Sequence, residues 1–431
     1  MVSLKNRYML RKLLVVAMFI VAMAAYGVTP QEAVGRFAQA SGLPHGSMAV
    51  LVTDLSSGKV LASYNAELPL TPASIMKCVT LASLSEVEDV EKSISTPVTI
   101  DGKIDHDGIL HGNLVIVGQG DPSLNSRIWP ESEDFLNEIL KALRDRGIRS
   151  VEGSIVVDDS FFAGEAIPPS WASGDLPHAY GTGSHAFNYS NNSVGKSAVR
   201  DPAAAFRSDL RRRLEDAGIS VGDNPLNGWK RTPLMAHQSP QLKEIMRSCM
   251  MRSDNLFAET SLRLFGKACG GDGSTADAAA REYDFWKGKR RVCLDDVRII
   301  DGSGLSRSNR VTARFMENVL RRKGDDVEYV SFFPLAGQEG TLKKFLSGTR
   351  LDSYVALKTG SMNGIQCYAG YKLDDDFAPT HVVVVMVNDF SCSRQHLRQE
   401  VERMLLDVFS DPRIANQKYK TPQKNIHEYA D

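Results

Sequence analysis

Apolar and polar positions alternate over residues 47–54 and 59–64, on either side of Ser56-Ser57-Gly58, which is the pattern of a β-hairpin. A helical period follows through about Ser85, with Thr71 suited to the N-cap and Pro72 to the first helical position. From about residue 95 to 199 the chain becomes rich in strands and turns. Leu114-Val115-Ile116-Val117 and Ser154-Ile155-Val156-Val157 are its clearest strands, and an amphipathic helix over 133–146 separates them. Helical periodicity returns over 202–217 and stops at Gly218. Two more helical runs flank Ser253: one capped by Ser239-Pro240 and running through Met251, the other over 256–265. The last third predicts a strand at 353–357, two more at 365–373 and 380–387, and a closing helix over 394–409 behind Ser393.

Strands therefore come from both ends of the chain, around a strand-rich block. This order predicts an α+β protein with one domain built from 25–94 and 200–412, a second domain inserted at 95–199, and a polar tail at 413–431.

The first 24 residues read as a secretory signal peptide. Lys5, Arg7, Arg11 and Lys12 form a basic start, residues 13–22 an apolar core, and Ala22-Met23-Ala24 a cleavage site. No other apolar stretch approaches membrane length, so no stable span is expected after cleavage. The mature chain is expected to be exported and soluble, in the periplasm where the cell has two membranes. The segment carries four basic and no acidic residues, so its removal takes the formal charge from −1 to −5. No basic stripe of the kind nucleic-acid binding needs is present. Cys78, Cys249, Cys269, Cys293, Cys367 and Cys392 show no metal-ligand spacing, and Cys78 suits a small buried hydrophobe. His106 and His111 flank Asp107-Gly108, which argues for a turn over a metal site.

The chemistry concentrates in three short motifs. Ser74-Ile75-Met76-Lys77 puts a hydroxyl and an amine three residues apart, hence on one face of the predicted helix. A serine hydroxyl needs a neighbouring base, and a neutral lysine can be one. Ser56 to Lys59 and Ser193 to Lys196 repeat the spacing, but in turn-like contexts. Ser253-Asp254-Asn255 follows at a bend between two helical runs, and Lys358-Thr359-Gly360 at the end of a β-prone stretch.

In this order the trio is the signature of penicillin-recognising serine enzymes. With Gly118-Gln119-Gly120-Asp121-Pro122, Val157-Asp158-Asp159-Ser160-Phe161, the run from Asp301 to Arg307 and the run from Leu335 to Leu342, the chain resembles the class C low-molecular-mass penicillin-binding proteins, the D-alanyl-D-alanine carboxypeptidase/endopeptidase family. The resemblance spans nearly the whole mature chain. It implies a transpeptidase/β-lactamase-like domain, an antiparallel sheet with a helical region, interrupted by an inserted domain. It also implies a serine D-Ala-D-Ala carboxypeptidase or DD-endopeptidase acting on peptidoglycan stem peptides through an acyl-enzyme, with β-lactams as covalent inhibitors and no metal or cofactor.

Carried over residue by residue, Ser74 is the nucleophile, Lys77 the base and Ser253 the proton relay to the departing D-alanine. Asn255 binds the substrate backbone, Lys358 and Thr359 the terminal carboxylate, and Gly360 leaves room along the strand. Ser361 and Ser74 supply oxyanion N–H groups. Lys77 is expected to have a depressed pKa and Lys358 to stay charged. Ser303 and Arg307 are left open between turn and site roles, and Asp121 and Asp158 read as turn residues. Two departures stand out: a shorter insertion than is usual, and the stretch from Tyr180 to Phe187, where the family shows a Pro-Val-Ser-Ala-like run. Two other readings share the trio. A class A-like β-lactamase would lack the long insertion and needs a deacylating glutamate loop, for which there is no convincing match. A non-catalytic cell-wall sensor would not need the trio intact.

Overall fold

The computed structural model describes residues 28–44, 47–129, 135–227, 230–289, 292, 294–410, 414, 417 and 418. The expected signal peptide, Cys293 and most of the polar tail lie outside them. Among the described residues no helix is long and apolar enough to cross a membrane.

The first sheet has five antiparallel strands in the order Val355–Met362, Ile365–Leu373, Pro379–Asn388, Met48–Asp54, Val60–Tyr64. Its three interior strands, Ile365–Leu373, Pro379–Asn388 and Met48–Asp54, are buried at every position. The period of two explains why a continuous valine run is needed there. Val382, Val384 and Met386 point into one core, and Val383, Val385 and Val387 into another. The first core lies under the helices Met76–Val87, Leu242–Arg252, Asn255–Ala268, Thr275–Lys287 and Ala313–Lys323. The second lies under Pro30–Ala38 and Arg394–Val408, which pack on each other.

A second sheet carries its own core. Arg231–Gln241 pairs with Ser93–Ile104, which pairs with Ile109–Val117. Ser150–Val151 and Ile155–Asp158 both run parallel to that third strand, and Ser220–Val221 closes the edge. The helices Phe135–Asp145 and Pro202–Asp216 cover it. This sheet draws on residues 93–241, wider than the expected 95–199. The helix at 202–216 and the strand at 231–241 thus belong with the second sheet: Phe206, Leu210 and Leu214 pack against Phe135, Ile139 and Phe187. Periodicity predicted the helix but not which core would receive it.

Between Ile155–Asp158 and Pro202–Asp216 the chain leaves this sheet and lies along helix Asn255–Ala268. Arg263 on that helix is 1% exposed and donates to the carbonyls of Ala163 (2.7 Å), Gly273 (2.7 Å) and Ser184. Ser184 Oγ meets Thr260 Oγ1 at 2.8 Å. The inserted chain is thereby fastened beside the Ser-Asp-Asn bend.

Candidate active site

The helix behind Ser74 begins differently from the sequence expectation. Thr71 does not cap it: its N–H donates to Asn388 Oδ1 (2.9 Å), its carbonyl accepts from Asn388 Nδ2 (3.1 Å), and its hydroxyl accepts from Arg310 (2.8 Å). A 3-10 turn, Ala73–Ile75, leads into the helix Met76–Val87. Ala73 sits at φ +48°, a left-handed conformation costly for a residue with a Cβ. Ser239 likewise does not cap the later helix. Its hydroxyl accepts from Ile94 N (2.8 Å), while Gln241 and Glu244 form the capping box. The two rival Ser-x-x-Lys matches are turns. Asp54 Oδ1 gathers Ser56 and Ser57, and Gly195 at φ +59° closes the hairpin of Ser193–Val194 and Ser197–Ala198.

Five of the expected residues meet through side-chain hydrogen bonds. Lys77 Nζ lies 3.0 Å from Ser74 Oγ, 2.7 Å from Asn255 Oδ1 and 2.8 Å from the Ser303 carbonyl. Lys358 Nζ lies 2.9 Å from Ser253 Oγ and 2.7 Å from the Thr359 carbonyl. Ser253 ends helix Leu242–Arg252 in the left-handed region (φ +58°), and Asp254 caps the next helix through Phe257 N (3.1 Å). The Ser-Asp-Asn triplet is thus a helix-to-helix bend whose first and third side chains reach different lysines.

Gly360 is needed for packing. A Cβ there would stand 2.6 Å from the Pro72 carbonyl and 3.1 Å from the amides of Ser74 and Ile75, so only glycine lets this strand pass the start of the Ser74 turn. Ser361 follows on the exposed side, paired with Gln366. Thr359 Oγ1 meets Thr341 Oγ1 at 2.9 Å.

Both lysines are fully buried, and both are pulled below the ordinary lysine range. For Lys77 the cause is burial, opposed by Cys249, Glu259, Asp301 and Asp254. Lys358 is pushed down to about 7 by burial and then by the Lys77 cation. The expectation that Lys358 escapes depression fails because the β-strand holding it is as deeply covered as the helix holding Lys77. Asn255 also differs from expectation: its Oδ1 serves Lys77, and its Nδ2 donates to the Tyr180 carbonyl at 2.9 Å.

A profile of the D-Ala-D-Ala carboxypeptidase 3 (S13) family matches residues 31–198 and 183–406. The chain belongs to this family. Among S13 relatives, a D-alanyl-D-alanine carboxypeptidase of Actinomadura is 26% identical over 408 residues, covering 75% of this chain and 74% of the relative. A D-alanyl-D-alanine carboxypeptidase of Haemophilus influenzae is 23% identical over 405 residues, covering 76% and 83%. The crystal structure of penicillin binding protein 4 from Haemophilus influenzae superposes with a TM-score of 0.75 at 22% identity, covering 87% of this chain and 98% of that one. That Haemophilus influenzae protein has also been crystallised in complex with a novel β-lactam.

The S13 fold also brings in groups that residue-type reasoning missed. The carbonyls of Ser303 and Tyr180 are backbone atoms, so no side-chain pattern announces them. The run from Asp301 to Arg307 was visible as a motif, but its use was not: Ser303 contributes its carbonyl, while Arg307 donates to the Asn363 carbonyl (3.2 Å) in the turn after Ser361. His111 is held between Asp105 (2.9 Å) and Glu152 (2.6 Å).

Proposed function

We propose that the protein is a serine D-Ala-D-Ala carboxypeptidase, able to act as a DD-endopeptidase on the same chemistry, that is exported to the periplasm and acts on peptidoglycan stem peptides. The observation that carries this reading is the Lys77 amine, buried, pulled below its ordinary range and 3.0 Å from Ser74 Oγ. A neutral amine has two N–H groups and one lone pair. Asn255 Oδ1 and the Ser303 carbonyl accept the two N–H groups, so the lone pair is left for the Ser74 proton.

Ser74 then attacks the carbonyl of the penultimate D-alanine as Lys77 takes its proton. The oxyanion forms against the amides of Ser74 and Ser361, on the two sides of the contact that Gly360 permits. The C–N bond breaks as Ser253 passes a proton to the departing amine and regains one from Lys77, which returns to its neutral form. Lys358 and Thr359 hold the terminal carboxylate. The substrate peptide competes with the Tyr180 carbonyl for Asn255 Nδ2. Water, with Lys77 again as base, releases the acyl group and restores Ser74. A β-lactam offers the same acyl and carboxylate groups in one molecule, its leaving nitrogen stays tethered when the four-membered ring opens, and the reaction stops at the acyl-enzyme.

Intact-mass analysis after penicillin treatment is expected to show one adduct, mapped to the Ser74 peptide, and none in Ser74→Ala. An adduct that persists in Ser74→Ala removes the assignment. Release of D-alanine from a stem pentapeptide, against cleavage of cross-linked muropeptides, measures how the two hydrolytic activities divide.

A further inference from the structure

A layer of buried carboxylates lies behind Lys77. Glu259, one turn past Asn255 on the same helix, is 1% exposed and accepts from Ser303 N (2.7 Å) and Gly302 N (3.3 Å). Asp301 is fully buried and accepts from four donors: Gly304 N (2.9 Å) and Asn309 Nδ2 (2.7 Å) on one oxygen, Ser306 N (2.6 Å) and Trp171 Nε1 (2.8 Å) on the other. Thr80, one turn beyond Lys77 on the nucleophile helix, donates to the Gly302 carbonyl at 3.0 Å. The turn also fits tightly. A Cβ on Gly304 would stand 1.9 Å from the Ala73 carbonyl, and one on Gly302 would stand 2.8 Å from the Ala258 carbonyl.

Two carboxylates this close in a dry interior repel each other, and burial together with Asp301 pushes Glu259 up to about 7. Arg263, a turn further along, directs its guanidinium to the carbonyls of Ala163, Ser184 and Gly273. Glu282, from helix Thr275–Lys287, adds a third buried carboxyl nearby. Glu259 is therefore engaged with the 302–303 amides and not with the neighbouring cation. The Ser303 carbonyl that emerges from this turn takes one of the two N–H groups of a neutral Lys77. If that carbonyl shifts, an N–H can swing onto Ser74 Oγ, and the lone pair no longer faces the proton it must take.

We propose that Glu259 is the positioning residue for the catalytic base: by gripping the Gly302 and Ser303 amides it fixes the Ser303 carbonyl and so aims the Lys77 lone pair at Ser74. This rests on the acyl-enzyme reading above and assigns acylation rate, as distinct from substrate binding, to a side chain that touches neither substrate nor nucleophile.

Rapid-mixing kinetics with penicillin on the full chain separate the noncovalent binding constant, the acylation rate constant and the fraction of protein that labels. Glu259→Gln, which keeps one acceptor, is expected to lower the acylation rate constant about 10-fold, and Glu259→Ala about 100-fold, with binding and labelled fraction unchanged. Rate constants within two-fold of wild type overturn the proposal. So does a loss confined to the labelled fraction, because that is the mark of a merely structural residue. If neither variant folds, Glu259→Asp decides, since it keeps a buried carboxylate but is one methylene too short to hold both the Gly302 and Ser303 amides. A roughly 3-fold slower acylation is expected there, and a wild-type rate constant overturns the proposal. Wild-type protein that penicillin does not acylate at Ser74 would instead remove the underlying reading, so the two failures are distinct.

Discussion

Lys77 and Lys358 are the same side chain, equally buried and both depressed, yet their surroundings differ in kind. Beyond Ser74, Lys77 faces two pure acceptor oxygens, of Asn255 and Ser303, and both are tied down by further bonds. Lys358 meets one backbone carbonyl, of Thr359, and one hydroxyl, of Ser253, with the Thr359 hydroxyl on the next residue paired to that of Thr341. A hydroxyl can turn to donate as well as accept, whereas a fixed carbonyl cannot. Under the proposed roles, the Ser253 hydroxyl beside Lys358 can reorganise around an incoming carboxylate, while the two acceptors beside Lys77 can only orient its amine. Burial alone does not distinguish base from anion anchor; the capacity of the neighbours to donate does.

The comparison breaks most visibly at Lys77→Arg. A guanidinium keeps its proton throughout the working range, so penicillin acylation is expected to fall at least about 1,000-fold. Acylation within ten-fold of wild type would move the base to the Ser253 side.

Arg263→Met tests how far the Lys77 side depends on the inserted chain. It strands three carbonyls that the guanidinium now satisfies, an expected loss of about 3 kcal/mol in unfolding free energy. Because Tyr180 lies on the chain so fastened and holds Asn255, acylation by the folded fraction should slow while carboxylate binding holds. Denaturant melts and rapid-mixing kinetics on one preparation give both, and an unchanged melt contradicts the clamp.

The mildest change is Lys358→Arg, expected to weaken noncovalent penicillin binding about 10-fold with acylation retained. Its sharper use is in pH. A lysine pushed down to about 7 is a cation below that pH and loses its charge as pH rises through it. Wild-type binding of the penicillin carboxylate should therefore weaken between pH 6 and 9, and the arginine variant's should not. Parallel pH dependence in both would locate the titrating group elsewhere.

Much of this site was legible in the sequence because its side chains have identities that spacing preserves. Ser74, Lys77, Ser253, Asn255, Lys358 and Gly360 all converge, and the strands 365–373 and 380–387 and the helix behind Ser393 lie where the patterns put them. The failures share a cause. Thr71 had cap chemistry, but Asn388 and Arg310, hundreds of residues away in the chain, use it first. The helix at 202–216 is amphipathic and would suit either sheet. The Ser303 and Tyr180 carbonyls carry no residue signature at all. Local pattern encodes what a segment can do; which distant partner claims it is settled only by assembly.

The register of the first sheet constrains how that assembly can proceed in time. Met48–Asp54, buried along its whole length, pairs Met48 with Val387 and Asp54 with His381. A chain emerging from its N-terminus can pair one edge of this apolar strand with Val60–Tyr64 at once but must keep the other edge open until nearly all the remainder has been made, whereas residues 93–241 already hold a sheet and core of their own. The natural order is for the inserted unit to fold early and the hydrolase to close late, through one slow, long-range strand pairing. Until that pairing forms, the turn that carries Ser74 lacks Asn388, the residue that anchors Thr71 at its start, so a half-made chain holds Ser74 on an unanchored turn.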